Sequence, residues 1–303
     1  MFDLVIEKIF IYVCILIIGY IGKRIGVFKK EHTKFLLSII CYITLPASII
    51  NGFQGVVITP ILFVGLLVGL FVNTLLLVLG IVLGKNKPIE EKIIYIFSVN
   101  CFNIGNFAIP FLTGLISADG FALICIFDIS VALMCYGVNV AIASSFVGNN
   151  GTIKIKDVCK KIFTSPVFIT YVLLIILNLA NIKLPNLVLN LTQVIGNSNA
   201  FISMLCIGIL FKFKLEKSKW IIVLKVLGIR LLICLSLSLI LYFVLPLQID
   251  LKIALSVILL APCAGAAPAL TEGNHGDGSV AAVINSLSIP LSMILMSTLL
   301  LIL

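Results

Sequence analysis

Three asparagines lie close together in residues 100–110, which read NCFNIGNFAIP. Asn100, Asn103 and Asn106 are spaced three residues apart, which would place their amides on one face of a helix. Each amide can donate and accept hydrogen bonds, so the set suits a carboxylate or a neutral polar ligand equally. Pro110 lacks a backbone donor and predicts an interruption of the helix about one turn earlier, near Asn106. The alternative is that the amides only join neighbouring helices.

A second interrupted segment covers residues 261–278, APCAGAAPALTEGNHGDG. Pro262 and Pro268 are expected to break a helix, and the small residues around Gly265 would let another backbone cross closely. Glu272 follows at the end of the segment, where it could serve as a gate or as a proton-accepting group. The polar residues after it are interpreted as a solvated turn.

Asp128 is the only acidic residue deep within an apolar run. A charge buried in a membrane is costly, and such a residue is by default a functional candidate. Tyr136 and Asn139 follow on the same predicted helical face. We expect the Asp128 carboxyl group to take up and release a proton that couples substrate movement to a gradient. The alternative is a structural carboxylate held by the neighbouring interrupted helix.

These candidates lie in an unusually apolar chain. Of the 303 residues, 61 % are hydrophobic and 11 % are charged, and the mean hydropathy is +1.28. Soluble domains have roughly 45–50 % apolar and about 25 % charged residues. A membrane span needs roughly 20 mostly apolar residues, so about ten spans would use the whole length. This composition excludes a soluble enzyme, a disordered chain and a large extramembrane domain.

The residue types needed for other chemistry are scarce or scattered. The nine cysteines form no CxxC pair and there are two histidines, so neither a disulfide framework nor a metal site is expected. No set of catalytic side chains occurs within the predicted spans and no ATP-binding motif is present. We therefore expect no enzymatic activity and no cofactor. The net charge of +9 comes from short basic clusters between apolar runs, which indicates membrane topology rather than nucleic-acid binding.

The apolar runs predict ten spans, two of them within residues 35–83 and the others at residues 4–22, 93–112, 121–146, 162–180, 187–211, 221–244, 253–271 and 280–302. Sixteen basic residues lie in alternate loops, and Lys225 and Arg230 extend the last of these groups into the start of span 8. Only Lys8, Lys183 and Lys252 lie on the opposite side. Basic loops stay in the cytoplasm, so both termini are predicted to be extracytoplasmic in a cell membrane. The loop at residues 148–161 would then be cytoplasmic.

That loop also divides the chain into residues 1–150 and 151–303, with five predicted spans in each half. Because five is odd, the second half must enter the membrane with the opposite orientation, which is the arrangement of an inverted repeat. The interrupted spans 4 and 9 hold equivalent positions in the two halves. Interrupted helices at equivalent positions are typical of a binding site near the membrane midplane.

Taken in order, these segments resemble the auxin efflux carrier family, which includes bacterial malate and malonate permeases and plant PIN auxin exporters. The resemblance covers essentially the full length and rests on LPASII, NIGNFAIP, the IFDISVAL stretch around Asp128, APCAG and GDGSVAA. One departure is Phe201, which follows a Gly-Asn pair at about the place where family members often have a proline. The long cytoplasmic loop of the plant exporters is absent.

The resemblance implies an all-α fold of ten helices, similar to bile-acid sodium symporters and sodium/proton antiporters. It implies a scaffold from spans 1, 2, 6 and 7 and a moving transport domain from spans 3–5 and 8–10. Asn103 and Pro110 match the family's crossover asparagine and proline, and Pro262 matches the proline in span 9. Organic anions are the usual substrates, and homodimers through the scaffold are usual.

The sequence thus predicts a secondary transporter for a small organic anion, such as a mono- or dicarboxylate, coupled to protons or to sodium. Half-helix amino termini at the crossing of spans 4 and 9 would attract the anion. A sodium/proton antiporter is an alternative, although such proteins use acidic pairs and Asp128 stands alone. A sodium-coupled organic anion symporter is a further alternative, and interrupted helices in inverted halves favour alternating access over a channel. A membrane-embedded sensor or enzyme is the least favoured alternative, because no catalytic set of side chains lies within the spans. Membrane lipid is an expected partner and nucleic acid is not.

Overall fold

The computed structural model describes residues 2–147 and 163–303, and their regular structure is helical apart from a single isolated β-bridge. The first half contains α1 Phe2–Arg24, α2 Lys30–Ile39, α3 Leu45–Gly52, α4 Val64–Leu83, α5 Ile89–Asn100, α6 Ile109–Leu112, α7 Ala118–Leu133 and α8 Asn139–Val147. The second half contains α9 Pro166–Leu179, α10 Asn186–Leu210, α11 Trp220–Val244, α12 Ile249–Ile258, α13 Ala267–Gly273 and α14 Gly278–Ile302. There are also three π-helical segments. Ile40–Thr44 joins α2 to α3, Met134–Val138 joins α7 to α8, and Ile104–Ala108 leads directly into α6.

Seven stretches of the described chain are long and apolar enough to cross a membrane, namely Phe2–Arg24, Glu31–Gly52, Pro60–Leu83, Ala118–Val147, Asn186–Leu210, Lys217–Val244 and Gly278–Ile302. They coincide with predicted spans 1, 2, 3, 5, 7, 8 and 10. Predicted spans 4 and 9 are each divided in two, so neither half reaches spanning length, and span 6 is represented by the shorter apolar helix α9. The chain is therefore a helical membrane protein, and the ten-span inverted repeat stays a prediction.

One group of helices consists of α1, α2, α3 and α10, with α9 packed on α3. Within it, α1 and α10 approach until their backbones touch. A Cβ atom added at Gly208 would lie 2.2 Å from the Leu16 carbonyl oxygen, and one added at Gly19 would lie 2.5 Å from the Leu205 carbonyl oxygen. The two glycines permit this close contact.

The second group contains α4, α5, α7, α11, α12, α13 and α14. In it, α4 packs on α5 and α7, α12 packs on α7 and α11, and α13 packs on α14. The largest fully buried side chains are phenylalanines from the segments around α5, α6 and α7: Phe97, Phe107, Phe111 and Phe127. The first interrupted helix therefore lies among fully buried aromatic side chains. The predicted loop at residues 148–161, with the predicted boundary between halves, lies outside the described residues.

Candidate functional site

The two interrupted helices cross at their breaks. Helix α5 ends at Asn100 and the chain becomes extended before helical structure resumes in the π-helical segment, while α12 and α13 are separated by residues 259–266. The Asn103 backbone N–H donates to the Pro262 carbonyl oxygen at 2.8 Å, and the Ala264 N–H donates to the Cys101 carbonyl oxygen at 3.1 Å. These bonds form an antiparallel bridge between the breaks. Backbone groups that leave a helix inside a membrane need such partners.

The break lies one turn earlier than the sequence predicted. Pro110 was expected to interrupt the helix near Asn106, but residues 104–108 form a π-helical turn in which the Ala108 N–H donates to the Asn103 carbonyl oxygen at 3.1 Å. This wider turn accommodates the missing donor of the proline without ending the helix. Because α5 ends at Asn100, the predicted common helical face of Asn100 and Asn103 does not exist.

A buried arginine that was not among the predicted site residues holds both breaks. Arg230 of α11 is 3 % exposed, and its Nη1 donates to the Val99 carbonyl oxygen. Its Nη2 donates to the carbonyl oxygens of Ala261 at 3.1 Å and Pro262 at 3.4 Å. The guanidinium carbon lies 4.4 Å from the centroid of the Phe102 ring. Arg230 therefore stabilises the partial negative charge at the carboxyl end of α5 and on the carbonyl groups of the break that follows α12.

The sequence carried a signal for this residue. Arg230 lies ten residues into the apolar run of span 8, in the stretch LGIRLLI, although it was grouped with the basic residues of the loop before that span. A cation at that depth is rare and calls for a partner. Its partners are backbone carbonyl groups, which no residue pattern reveals.

Helix α14 supports the break in span 9 through two further polar side chains. The Cys263 backbone N–H donates to Ser288 Oγ at 3.0 Å, and Asn285 Nδ2 donates to the Cys263 carbonyl oxygen at 2.6 Å. Both backbone groups of Cys263 are therefore satisfied by one neighbouring helix. Neither Asn285 nor Ser288 was among the predicted site residues.

Two of the predicted site residues bond to each other. Asn100 Nδ2 donates to Asn139 Oδ1 at 2.8 Å, and Asn139 Nδ2 donates to the Cys101 sulfur at 3.2 Å. Both asparagines are fully buried, and Asn100 Oδ1 has no hydrogen-bond partner among the described residues. The pair connects the last residue of α5 to the first residue of α8, next to the break in span 4.

The other two predicted amides, of Asn103 and Asn106, lie at the start of the π-helical turn of span 4 and within it. Asn103 is 5 % exposed, and its side-chain amide makes no hydrogen bond with another described residue. A Cβ atom added at the exposed Gly265 would lie 3.7 Å from Asn103 Nδ2, which places the two breaks side by side here. Asn106 is half-buried in the π-helical turn. This part of the crossing therefore contains one buried amide, one half-buried amide and the exposed backbone of Gly265.

Asp128 lies beside a cavity of about 260 Å³ between α7 and α9. The Tyr171 hydroxyl group donates to Asp128 Oδ2 at 3.0 Å, and Tyr136 and Ser165 add two more polar groups to the wall. The remaining lining is apolar and includes Phe168. A few polar groups in an apolar wall are typical of small-molecule sites.

Asp128 lies between the cavity and the crossing of the two interrupted helices. A Cβ atom added at Gly105, two residues after the break, would lie 3.9 Å from Asp128 Oδ2. Among the described residues, no basic side chain forms an ion pair with this carboxylate. The Asp128 carboxyl group thus faces the start of the π-helical turn of span 4 on one side and the cavity on the other.

Two predicted residues lie away from this cluster. The Pro110 carbonyl oxygen accepts a hydrogen bond from the Tyr12 hydroxyl group at 2.7 Å, so Pro110 contributes to the contact between α1 and α6. Glu272 is exposed at the end of α13 and does not line the cavity. Pro262 lies within the break itself, where its carbonyl oxygen accepts from both Asn103 and Arg230.

Comparison with protein-family models finds no match. The chain is 28 % identical over 214 residues to a protein of Methanocaldococcus jannaschii named "Uncharacterized transporter MJ1031". The matched region covers 67 % of this chain and 68 % of that protein. The resemblance to auxin efflux carriers stays a prediction from the sequence.

Proposed function

We propose that this protein is a secondary transporter that carries a small organic anion together with a proton by alternating access. The observation that carries the proposal is the bridged crossing of two interrupted helices beside a cavity that contains the Asp128 carboxyl group. The similarity to a protein named as a transporter agrees with this function. Membership of the auxin efflux carrier family is part of the proposal.

The proposed mechanism divides the molecule into a scaffold and a moving domain. The scaffold consists of α1, α2, α3, α9 and α10, and the moving domain contains both interrupted helices. The separate packing of the two helix groups supports this division, and the cavity lies where α7 of one group meets α9 of the other. Ten spans in two inverted halves, extracytoplasmic termini and a homodimer through the scaffold complete the proposal.

The buried charges explain why a proton would accompany the anion. An ionised Asp128 balances Arg230 when the site is empty, and it would repel an anion that enters the cavity. Protonation of Asp128 removes this repulsion and leaves the Arg230 charge to be balanced by one carboxylate. Both states are then neutral overall, which matters because moving a net charge through hydrocarbon is costly. The charge balance favours one proton for each monoanionic substrate carried, so a dicarboxylic acid would be carried with one of its carboxyl groups protonated.

Uptake into proteoliposomes tests the function. A panel of labelled mono- and dicarboxylates would be offered while the pH gradient and the sodium gradient are varied separately. We expect at least one carboxylate to accumulate under a pH gradient that is acidic on the substrate side, with no requirement for sodium. A parent protein that moves none of the panel contradicts the substrate class, and accumulation driven only by sodium contradicts the proton coupling.

The Asp128→Asn variant tests the role of the carboxyl group. The amide keeps the shape and can accept from Tyr171, but it cannot titrate, so the variant should exchange substrate across the membrane without accumulating it. Asp119→Asn is the matched control, because Asp119 is exposed in the first turn of the same helix. If Asp128→Asn accumulates substrate as well as the parent does, Asp128 is structural.

Single cysteines test the proposed orientation. Ser218 lies in an exposed loop that should be cytoplasmic, and Asn181 lies in an exposed loop that should be extracytoplasmic. In intact cells, an impermeant thiol reagent should label Asn181→Cys and spare Ser218→Cys, with the parent protein as background. The reverse pattern would overturn the topology.

A further inference from the structure

We propose that Arg230 is the resident cation of the helix crossing, a fixed positive charge that takes the place of a metal cation there. The inference rests on the proposed transport function, and it adds that the two breaks need no sodium ion to hold their geometry. Arg230 does not line the cavity beside Asp128.

The guanidinium group lies among oxygen atoms of the kind that bind cations. Interrupted membrane helices present unwound carbonyl groups and half-helix carboxyl ends, and these are the groups that coordinate sodium in transporters. Here the carbonyl oxygens of Val99, Ala261 and Pro262 converge on one point from two breaks. That point is occupied by the Arg230 side chain, so the oxygen atoms that would surround an ion are already bonded.

The shape of the guanidinium group matches the two breaks. Arg230 Nη1 donates to a carbonyl group in the last turn of α5, and Nη2 donates to two consecutive carbonyl groups in the break that follows α12. A planar guanidinium fork can bridge two separate carbonyl sites at a fixed spacing, whereas a lysine ammonium acts as a point charge. Arg230 therefore sets the distance between the two half-helices as well as the charge at their ends.

The charge of Arg230 is also permanent. No carboxylate pairs with Arg230 among the described residues, and a guanidinium group does not lose its proton in proteins. The Phe102 ring covers the group at 4.4 Å. A resident charge of this kind persists at any physiological pH and salt composition, which a bound sodium ion would not.

Thermal unfolding of the purified protein in detergent tests this inference without any substrate. The parent is heated in sodium, lithium and choline chloride at equal ionic strength, and its unfolding temperature should be the same in all three. Arg230→Ala removes the cation from the site, so this variant should unfold at a lower temperature than the parent. Guanidinium chloride at low millimolar concentration should raise the unfolding temperature of the variant. Lys225→Ala is the control, because Lys225 lies exposed on the same helix and should respond to none of the salts.

A second pair of variants covers the case in which Arg230→Ala does not fold. Arg230→Lys keeps the charge and Arg230→Gln keeps hydrogen-bond donors without it, so the lysine variant should be the better folded of the two. Equal unfolding temperatures of the lysine and glutamine variants would overturn the inference. A rise in the unfolding temperature of the parent that is specific to sodium would also overturn it. So would an alanine variant that folds and is indifferent to guanidinium. Absence of carboxylate transport would contradict the proposed function. The unfolding measurements would still test the role of Arg230, because they use no substrate.

Discussion

Arg230 and Asp128 are two charged groups inside the apolar part of the same molecule, and their surroundings differ in kind. Arg230 is almost fully buried, and its donors reach three backbone carbonyl oxygens. Asp128 is half-buried, accepts one hydrogen bond from Tyr171 and borders a cavity. The Arg230 guanidinium group is enclosed by the backbone segments to which it donates, whereas the Asp128 carboxyl group stays partly exposed to a cavity.

The difference agrees with the proposed roles, in which Arg230 is a fixed structural charge and Asp128 carries a proton. A guanidinium group that is always protonated can be enclosed permanently, and it then stabilises the crossing in every state of the protein. A carboxyl group that must gain and lose a proton needs few fixed partners and a route for water or substrate. We therefore expect the variants of these two residues to affect different measurements.

The largest effect is expected from Arg230→Leu. This change leaves the carbonyl groups of Val99 and Ala261 without their partner, while the Pro262 carbonyl oxygen keeps the Asn103 N–H. Each buried group left unsatisfied costs about 1–3 kcal/mol. Unfolding by a denaturing detergent should show a loss of stability of about 3 kcal/mol or more. A loss no greater than that of Lys225→Leu would mean that the crossing holds itself together.

Asp128→Asn should show the opposite profile. Its folding stability should stay within about 1 kcal/mol of the parent, because the amide can still accept a hydrogen bond from Tyr171. The substitution also removes the free-energy cost of a charge inside the membrane. Accumulation of substrate under a pH gradient should fall at least about tenfold, which corresponds to roughly 1.4 kcal/mol of lost coupling. A variant that unfolds as readily as Arg230→Leu would remove the distinction between the two charges.

The asparagines divide in the same way, with smaller effects. Asn139→Ala leaves Asn100 Nδ2 buried without its partner, so it should lower the unfolding free energy by about 1–3 kcal/mol. Asn103→Ala removes an amide without a described partner, so it should leave stability nearly unchanged and abolish substrate binding. Binding measured by ligand-dependent unfolding checks both variants. If Asn103→Ala unfolds while its residual transport stays normal, its amide joins helices instead.

The smallest effect concerns a charge at the protein surface, Asp277 before α14. Burial disfavours its ionised form, but the hydrogen bond from Lys219 at 2.7 Å and those from the Ser279 and Val280 N–H groups outweigh this and lower the pKa of the carboxyl group. A lowered pKa in the folded state stabilises the fold above the ordinary carboxyl pKa. This stabilisation is lost as the pH falls through the lower, folded-state value.

The change Asp277→Asn should therefore cost about 1 kcal/mol at neutral pH, and the difference from the parent should shrink towards acidic pH. Unfolding curves at a series of pH values check this, with the exposed Asp119→Asn as the control. A difference that is constant with pH would assign the effect to helix capping alone. In contrast to Asp128, this carboxylate should not alter the proton dependence of transport.

Much of the fold could be predicted from the sequence because the membrane restricts what a chain can do. Apolar run lengths and basic loops predicted the helical class and the order of the spans, and seven of those spans are present as long apolar helices. Proline marked both interrupted segments, together with asparagines in the first and small residues around a glycine in the second. Asp128 was evident because one acidic residue in an apolar run is conspicuous by composition alone.

The tertiary structure decided which groups meet at the crossing. Arg230 donates to a carbonyl group 131 residues earlier, and Ser288 accepts from a backbone N–H 25 residues earlier. Every residue has a carbonyl group, so no side-chain pattern identifies the ones that a distant arginine will reach. The break moved to Cys101–Asn103 for the same reason, since the antiparallel bridge to the other break stabilises an extended chain there. Proline chemistry is local and readable, whereas partners for freed backbone groups exist only once the helices have packed.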